Sequence, residues 1–311
     1  MRRLKGSLSK PVKTEESMDD EQLKVSGGEA FLQVNYDDKF TMTQLIEKLA
    51  SSPEAAGLVR LRIGPWEECY EKTSASTVEA LSRHASSFPR LTSLYLGDIE
   101  AEQCEISWIN QCDISPLLKA FPKLEVLEVR GGNGLRVSEA RHAQLKKLRF
   151  ESGGLPREVV QDVARGELPD LEHLEFWLGT SEYGGTVQLE DLQPLLNSDR
   201  FPKLSFLGLM NWEHANSIPG ALKGCRILGQ LRTLNLSMGT MTDEGGGELL
   251  KIPELKALQT LDLDDNYMSD ELIQNLRSTL GACVQPGNQD VPDEYEYNGV
   301  KYSDVYCSVA E

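Results

Sequence analysis

The sequence predicts an α/β solenoid, an open horseshoe with a parallel sheet on its concave face and helices on its convex face. Three observations carry this. First, Leu258-Gln-Thr-Leu261-Asp-Leu263-Asp-Asp-Asn266, read as L-x-x-L-x-L-x-x-N, has weaker copies starting at Leu231, Leu204, Leu171, Leu145, Leu124, Leu91 and Leu58. Second, each copy keeps apolar residues at +3 and +5, from Leu61 and Ile63 through Leu174 and Phe176 to Leu261 and Leu263. Third, Phe88-Pro-Arg-Leu, Phe121-Pro-Lys-Leu, Leu168-Pro-Asp-Leu and Phe201-Pro-Lys-Leu recur just ahead of four of these stretches. Successive side chains of a strand point to opposite faces, so the +3 and +5 residues share one face. One unit cannot bury that face alone; stacked units can, and the sheet then grows sideways rather than around a single core.

The pattern resembles the strand half of the leucine-rich repeat over roughly residues 58–285. Intervals between successive starts run from 21 to 33 residues. That repeat usually spans about 20–29, so the three intervals of 33 carry additional residues. Eight strands about 4.8 Å apart predict a sheet running ~34 Å along its curve.

Taken in order, residues 1–29 are polar, mixed in charge and without aromatic residues, the composition of a flexible tail. Residues 30–57 are expected to cap the first end, with a strand over 31–36 and a helix over 42–50 in which Leu45, Ile46 and Leu49 fall at helical spacing. About eight repeats fill 58–285, with helices expected over 76–86, 156–165, 189–197, 217–225, 243–250 and 270–280. Residues 136–144 are too few for a full helix. Pro156 suits a first helical position, where its missing N–H costs nothing. In each Phe-Pro or Leu-Pro word the proline stops the helix, and the residue before it fills the core. Residues 286–311 are expected to form a C-terminal cap or tail, with a tyrosine-rich hairpin turning at Asn298-Gly299 and closing the far end.

Net charge of −17 opposes an unspecific nucleic-acid binder or a binder of anionic membranes, since both need a cationic face. Six widely spaced cysteines form no C-x-x-C pair, which is neither a zinc spacing nor a secreted disulfide framework. The basic start lacks the apolar run of a secretory signal, and no stretch approaches the roughly 18 apolar residues of a membrane span. The expected setting is the cytoplasm, with reduced thiols.

Several words go beyond repeat logic: Leu96-Gly-Asp-Ile99 with Glu105-Ile-Ser-Trp-Ile109, Val129-Arg-Gly-Gly132, Arg149-Phe-Glu-Ser-Gly-Gly-Leu-Pro156, Trp177-Leu-Gly179 and Tyr183-Gly-Gly185. Over about residues 90–240 they are similar to a family of bacterial cytoplasmic leucine-rich-repeat proteins of unknown function. The resemblance implies the same fold and assigns no activity. It also implies an accessory role beside radical-SAM and ATP-grasp enzymes, binding a small molecule or peptide precursor.

Residues alternating with the buried leucines are expected to line the concave face. They run from Arg60 and Arg62 through Ser93 and Tyr95, Glu128 and Arg130, then Lys147, Arg149 and Glu151. His173, Glu175 and Trp177 follow, then Phe206, Gly208 and Met210, Asn235 and Ser237, and finally Asp262 and Asp264. The row grades from basic, through aromatic and sulfur side chains, to acidic. Exposed aromatics beside arginine are the usual anchors of interfaces, so a protein or peptide partner is expected there. Trp66, Trp108, Trp177 and Trp212 are assigned to the edge where strands run out into loops, with Ser152-Gly-Gly154 and Gly184-Gly185. A small-ligand pocket on that edge would be rimmed by Trp108, Trp177, Tyr183, Arg130 and Glu151.

No phosphate loop, G-x-S-x-G elbow or H-E-x-x-H helix occurs, so no enzyme activity, cofactor or metal is expected. His84, His142, His173 and His214 read as surface or rim residues, and Cys112 as a half-buried loop cysteine with no paired base. Asp262, Asp264 and Asp265 alternate faces and read as solvated carboxylates. An enzyme with an unrecognised site on the tryptophan edge and, last, a purely structural spacer are the remaining alternatives.

Overall fold

The computed structural model describes residues 22–311. The expected tail therefore lies mostly outside the described residues. The first end carries β1 (Leu23–Ser26), β2 (Glu29–Leu32) and α1 (Met42–Ala50), followed by β3 (Arg60–Ile63) and α2 (Ala75–Arg83). Next come β4 (Ser93–Leu96), α3 (Ser115–Ala120), β5 (Val126–Arg130), β6 (Lys147–Glu151), α4 (Arg157–Ala164) and β7 (His173–Gly179). The chain continues through α5 (Leu189–Leu196), β8 (Phe206–Trp212), α6 (Ile218–Leu222), β9 (Thr233–Asn235), α7 (Asp243–Leu249) and β10 (Thr260–Asp262). It ends with α8 (Asp270–Leu280), β11 (Val284–Gln285) and a separate pair, β12 (Asp293–Tyr297) and β13 (Val300–Asp304).

Among the described residues, β1 to β11 form one open sheet in strict sequence order, parallel except for the β1–β2 hairpin. The +3 leucines stand directly opposite one another: Leu61, Leu94, Leu127, Leu148, Leu174, Leu207, Leu234 and Leu261. None of them meets solvent. The +5 row runs beside them, and in it Phe150 stacks on Phe176 with ring centroids 5.7 Å apart. Leu174 and Phe176 therefore face the core, as the alternation requires.

The four Phe-Pro and Leu-Pro words form one recurring turn. In each, the leucine that opens the strand donates its N–H to the carbonyl three residues back, from Leu91 to Phe88, Leu124 to Phe121, Leu171 to Leu168 and Leu204 to Phe201, at 3.0–3.1 Å. Proline at the second position presets the turn, and Phe88, Phe121, Leu168 and Phe201 are all buried. The word thus sets the point at which each strand enters the sheet.

Four details depart from expectation. Structure begins inside the segment read as a tail: Gly27 and Gly28, at φ +60° and +86°, supply the two left-handed positions of a tight hairpin turn, and β1 pairs with β2. Three of its four residues are exposed, so backbone pairing rather than burial holds it. Helix α3 was not anticipated; Pro116 sits in its first turn, and Leu117 and Leu118 are buried. Pro156 is the last extended residue before α4, with ψ 133°, and the free Arg157 N–H that follows it is satisfied by the Thr186 hydroxyl of the next repeat. The expected hairpin turns at Asn298-Gly299 but does not close the stack. All its residues are exposed except Asp304, and Tyr295 stacks on Tyr302 instead of the core. Helix α8 and β11 close that end, with Leu276, Leu280 and Val284 buried. Among the described residues no helix is long and apolar enough to cross a membrane.

Candidate functional site

Pairing the leucines in register also sets the residues between them in register, on the opposite face. Arg149 of β6 consequently lies between Glu128 of β5 and Glu175 of β7. Its guanidinium is 3.1 Å from Glu175 Oε1 and 3.4 Å from Glu128 Oε1, and it also pairs with Glu151. Lys147 is 2.7 Å from Glu128, and Arg130 is 2.8 Å from Glu151. The Tyr95 hydroxyl donates to Glu151 at 3.1 Å. The indole N–H of Trp177 donates to Glu175 at 3.0 Å, with His173 Nε2 at the same distance from its other oxygen.

Three carboxylates are thus cross-braced by three permanent cations, and the centre of the concave face is close to electroneutral. Glu128, Glu151 and Glu175 are 7%, 3% and 8% exposed. Burial by itself would raise the Glu175 carboxyl, but hydrogen bonds from His173 and Trp177 and the charge of Arg149 outweigh it and hold it below the ordinary value. Burial, reinforced by the Glu151 charge, pushes the Tyr95 phenol well up, so it remains a donor.

Flat rings edge this network. His173 stacks on Phe206 with centroids 3.8 Å apart and planes 9° from parallel. Arg149 lies over the Trp177 ring at 5.5 Å. Gly208, opposite Glu175, keeps this centre uncrowded, since a Cβ there would sit 3.0 Å from the Glu175 Cγ.

The expected site residues therefore divide. Tyr95, Arg130, Arg149, Glu151, His173, Glu175, Trp177 and Phe206 come together on the concave face. Met210 also belongs to this row but is buried, and Trp212 is 2% exposed in the core. The reason is local: Asn211 is left-handed, at φ +53°, which interrupts the alternation and turns Trp212 inward. Trp66 is buried as well, its indole N–H donating to the Lys72 carbonyl at 2.8 Å. Trp108 alone of the four tryptophans is largely exposed, at 57%, in the loop after β4. The four tryptophans thus differ in burial: Trp66 and Trp212 lie in the core, Trp177 is half-buried and Trp108 is exposed.

The glycines of that edge pack backbone on backbone. A Cβ on Gly154 would stand 2.3 Å from the Tyr183 carbonyl oxygen, and one on Gly179 would stand 2.0 Å from that of Gly153. Residues 306–311 run along the same edge, and Tyr183 there bonds Glu311. This hydrogen bond pushes the Tyr183 phenol up to about 12. The rim offered for a small ligand is thus partly covered by the chain itself.

Two further residues differ from their expected roles. His142 is buried rather than on the rim, with Nε2 3.0 Å from the Phe121 carbonyl oxygen, and so satisfies one of the proline turns. Asp264 uses one carboxylate oxygen to accept backbone N–H groups of Asp265 and Asn288, a turn-capping rather than a solvated role. Cys112 is half-buried, accepts from the Ser74 hydroxyl at 3.3 Å, and has its thiol pKa raised by burial. Asn211, whose side-chain amide bonds both the N–H and the C=O of Val309, carried only one sequence signal: a polar residue where the alternation of β8 breaks.

No protein-family model and no curated protein matches the chain. Among solved structures, a crystal structure of a protein from Bacteroides fragilis superposes with a TM-score of 0.74 at 32% identity, covering 79% of this chain and 71% of that one. An internalin from Listeria monocytogenes aligns at 14% identity with a TM-score of 0.29, covering 84% of this chain and 86% of that one.

Proposed function

The chain belongs to the leucine-rich-repeat superfamily, in the same family as the Bacteroides fragilis protein, and on that premise we propose that it is a non-catalytic scaffold holding a protein or peptide partner on its concave face. The observation that carries this reading is the cross-braced centre of that face, where Arg149 is shared by Glu128, Glu151 and Glu175 beneath Trp177 and the His173–Phe206 stack. Charges already paired in the free protein need no rearrangement on docking, and side chains already immobile lose little entropy. Flat rings set on such a base make good anchors. The partner suited to it is weakly charged at the contact, with an apolar or aromatic group to lie on Trp177 and Phe206. Strong charge of either sign would have to break an existing pair.

This reading assigns no catalytic residue and no cofactor, and it puts the protein in the cytoplasm. All six cysteines are free, which fits a reducing compartment. The test is affinity capture with the immobilised chain, comparing wild type with Trp177→Ala plus Arg130→Ala. A partner held by wild type is expected to be lost by the double variant while circular dichroism stays unchanged. Retention of every captured protein by the double variant would remove the concave face from consideration.

A further inference from the structure

We propose that Cys69 and Cys104 are a redox-responsive thiol pair, closed to a disulfide by exchange with a small disulfide such as oxidised glutathione, and that the bond staples together the loops leaving β3 and β4. Stacking of the repeats brings the two residues together. Strands β3 and β4 pair in parallel with Ile63 opposite Leu96, so the loops that leave them run side by side. Cys69 lies in the first loop and Cys104 in the second. Both backbones are held there. The Asn110 N–H donates to the Cys69 carbonyl at 3.0 Å, and the Asn110 side-chain amide reaches the same oxygen at 3.4 Å. The Cys104 N–H donates to the Glu100 carbonyl at 3.1 Å, which fixes its turn. Between these anchors the Cys69 thiol shares a hydrogen bond with the Cys104 sulfur, which itself stands 3.6 Å from the Glu105 carbonyl oxygen. Both thiols are free. Sulfurs in hydrogen-bond contact need to close by less than about 2 Å to reach the ~2.05 Å of a disulfide.

The pair lies just beneath the surface. Cys104 is 9% exposed and Cys69 4%, and Cys69 lines a surface pocket together with Trp66, Tyr70 and Gln103, the neighbour of Cys104. Sharing one hydrogen bond makes the two thiols unequal. Donating it raises the Cys69 thiol, with burial acting in the same direction, and accepting it lowers the Cys104 thiol. Cys104 is therefore the attacking thiolate and Cys69 the resolving thiol. Cys112 takes its hydrogen bond from the Ser74 hydroxyl instead and stays outside the exchange.

The exchange balances in two steps. The Cys104 thiolate attacks one sulfur of oxidised glutathione, whose S–S bond breaks; a mixed disulfide forms on Cys104 and one glutathione thiolate leaves. Cys69 then attacks the Cys104 sulfur, passing its proton to the second departing glutathione thiolate. The two protein thiols are oxidised and one small disulfide is reduced to two thiols. The new bond encloses α2 and β4, restricting the unfolded chain far more than the folded one. It also anchors the loop that bears the exposed Trp108.

This inference does not rest on the concave-face reading, whose residues its variants leave alone. The full chain is incubated with oxidised glutathione, and its bonds are mapped by non-reducing peptide mass spectrometry. Wild type is expected to gain a Cys69–Cys104 bond that dithiothreitol removes, with a melting temperature raised by about 5 °C. Cys69→Ser is expected to stop at a glutathione adduct on Cys104, and Cys104→Ser to leave Cys69 unmodified. Mapping on wild type needs no variant to fold. Absence of the Cys69–Cys104 bond, a bond from either residue to Cys112 in its place, or a melting temperature unchanged by the bond overturns the proposal. Equal adducts on Cys104 and Cys69 in the two variants overturn it as well.

Discussion

Arg149 and Glu175 face each other across β6 and β7, guanidinium nitrogen 3.1 Å from carboxylate oxygen, in a register locked by Leu148 opposite Leu174. Removing the cation leaves carboxylates in a place where water is scarce. Arg149→Met should destabilise the fold by about 2–3 kcal/mol, below the usual range for a broken buried pair. The reduction follows because Glu128 and Glu151 keep Lys147 and Arg130, and 26% of the Arg149 side chain meets water. Urea denaturation checks this, and Arg149→Met with Glu175→Met should recover part of the loss. A double variant no better than the single one would show that the pair is not coupled.

The same carboxylate predicts an acid limb. Glu175 titrates below its ordinary 4.5 in the folded protein, so the unfolded chain binds its proton first. Its contribution is therefore fully present above that pH and is lost as pH falls through the folded value. Glu175→Gln should flatten the decline of stability below about pH 4.5 while leaving neutral-pH cooperativity intact. Melting temperatures measured from pH 3 to 7 settle it; an unchanged acid limb in the variant means that Glu175 is not held low.

Facing can be tested directly. Leu174→Ala or Leu234→Ala should cost about 2–5 kcal/mol, as buried leucines do, and Thr233→Ala or Thr260→Ala well under about 1 kcal/mol. Leu174 and Leu234 are fully buried, whereas Thr233 and Thr260 are half-buried on the other face. Comparable losses at leucine and threonine would mean that packing does not follow the alternation.

A polar prediction concerns Asn266, the final residue of the best-kept repeat. Its buried amide donates to the carbonyls of Leu236, Leu263 and Asp264 and accepts from the Met241 N–H, tying two repeats together. Asn266→Ala takes this partner from the Leu236 carbonyl and the Met241 N–H, while the Leu263 and Asp264 carbonyls keep Gln289 and the Met238 N–H, and it should cost about 1–3 kcal/mol in thermal or urea unfolding. A loss under about 0.5 kcal/mol would show that water replaces the amide at no cost.

Much of this was legible before any coordinates. A two-residue alternation and a stacked register are local rules, so the leucine words by themselves determined the solenoid, the buried face, the strand positions and the row of residues on the concave side. The proline words located the strand entries for the same reason, since a turn is written in four residues.

Other features were decided only by the tertiary structure. Which carboxylate Arg149 would choose depended on side chains from three strands meeting at once, and the answer was all three. Trp212 went into the core because the left-handed residue Asn211 resets the alternation, as Gly131, Met238 and Asp265 do at the same place in their own repeats, and a torsion shared by such different side chains leaves no residue signature. The covering of the glycine edge rests on a contact between Asn211 and Val309, 98 positions apart in the chain. Pairings so distant have no spacing to reveal them; they exist only once the repeats are stacked and the returning chain finds an open backbone edge within reach.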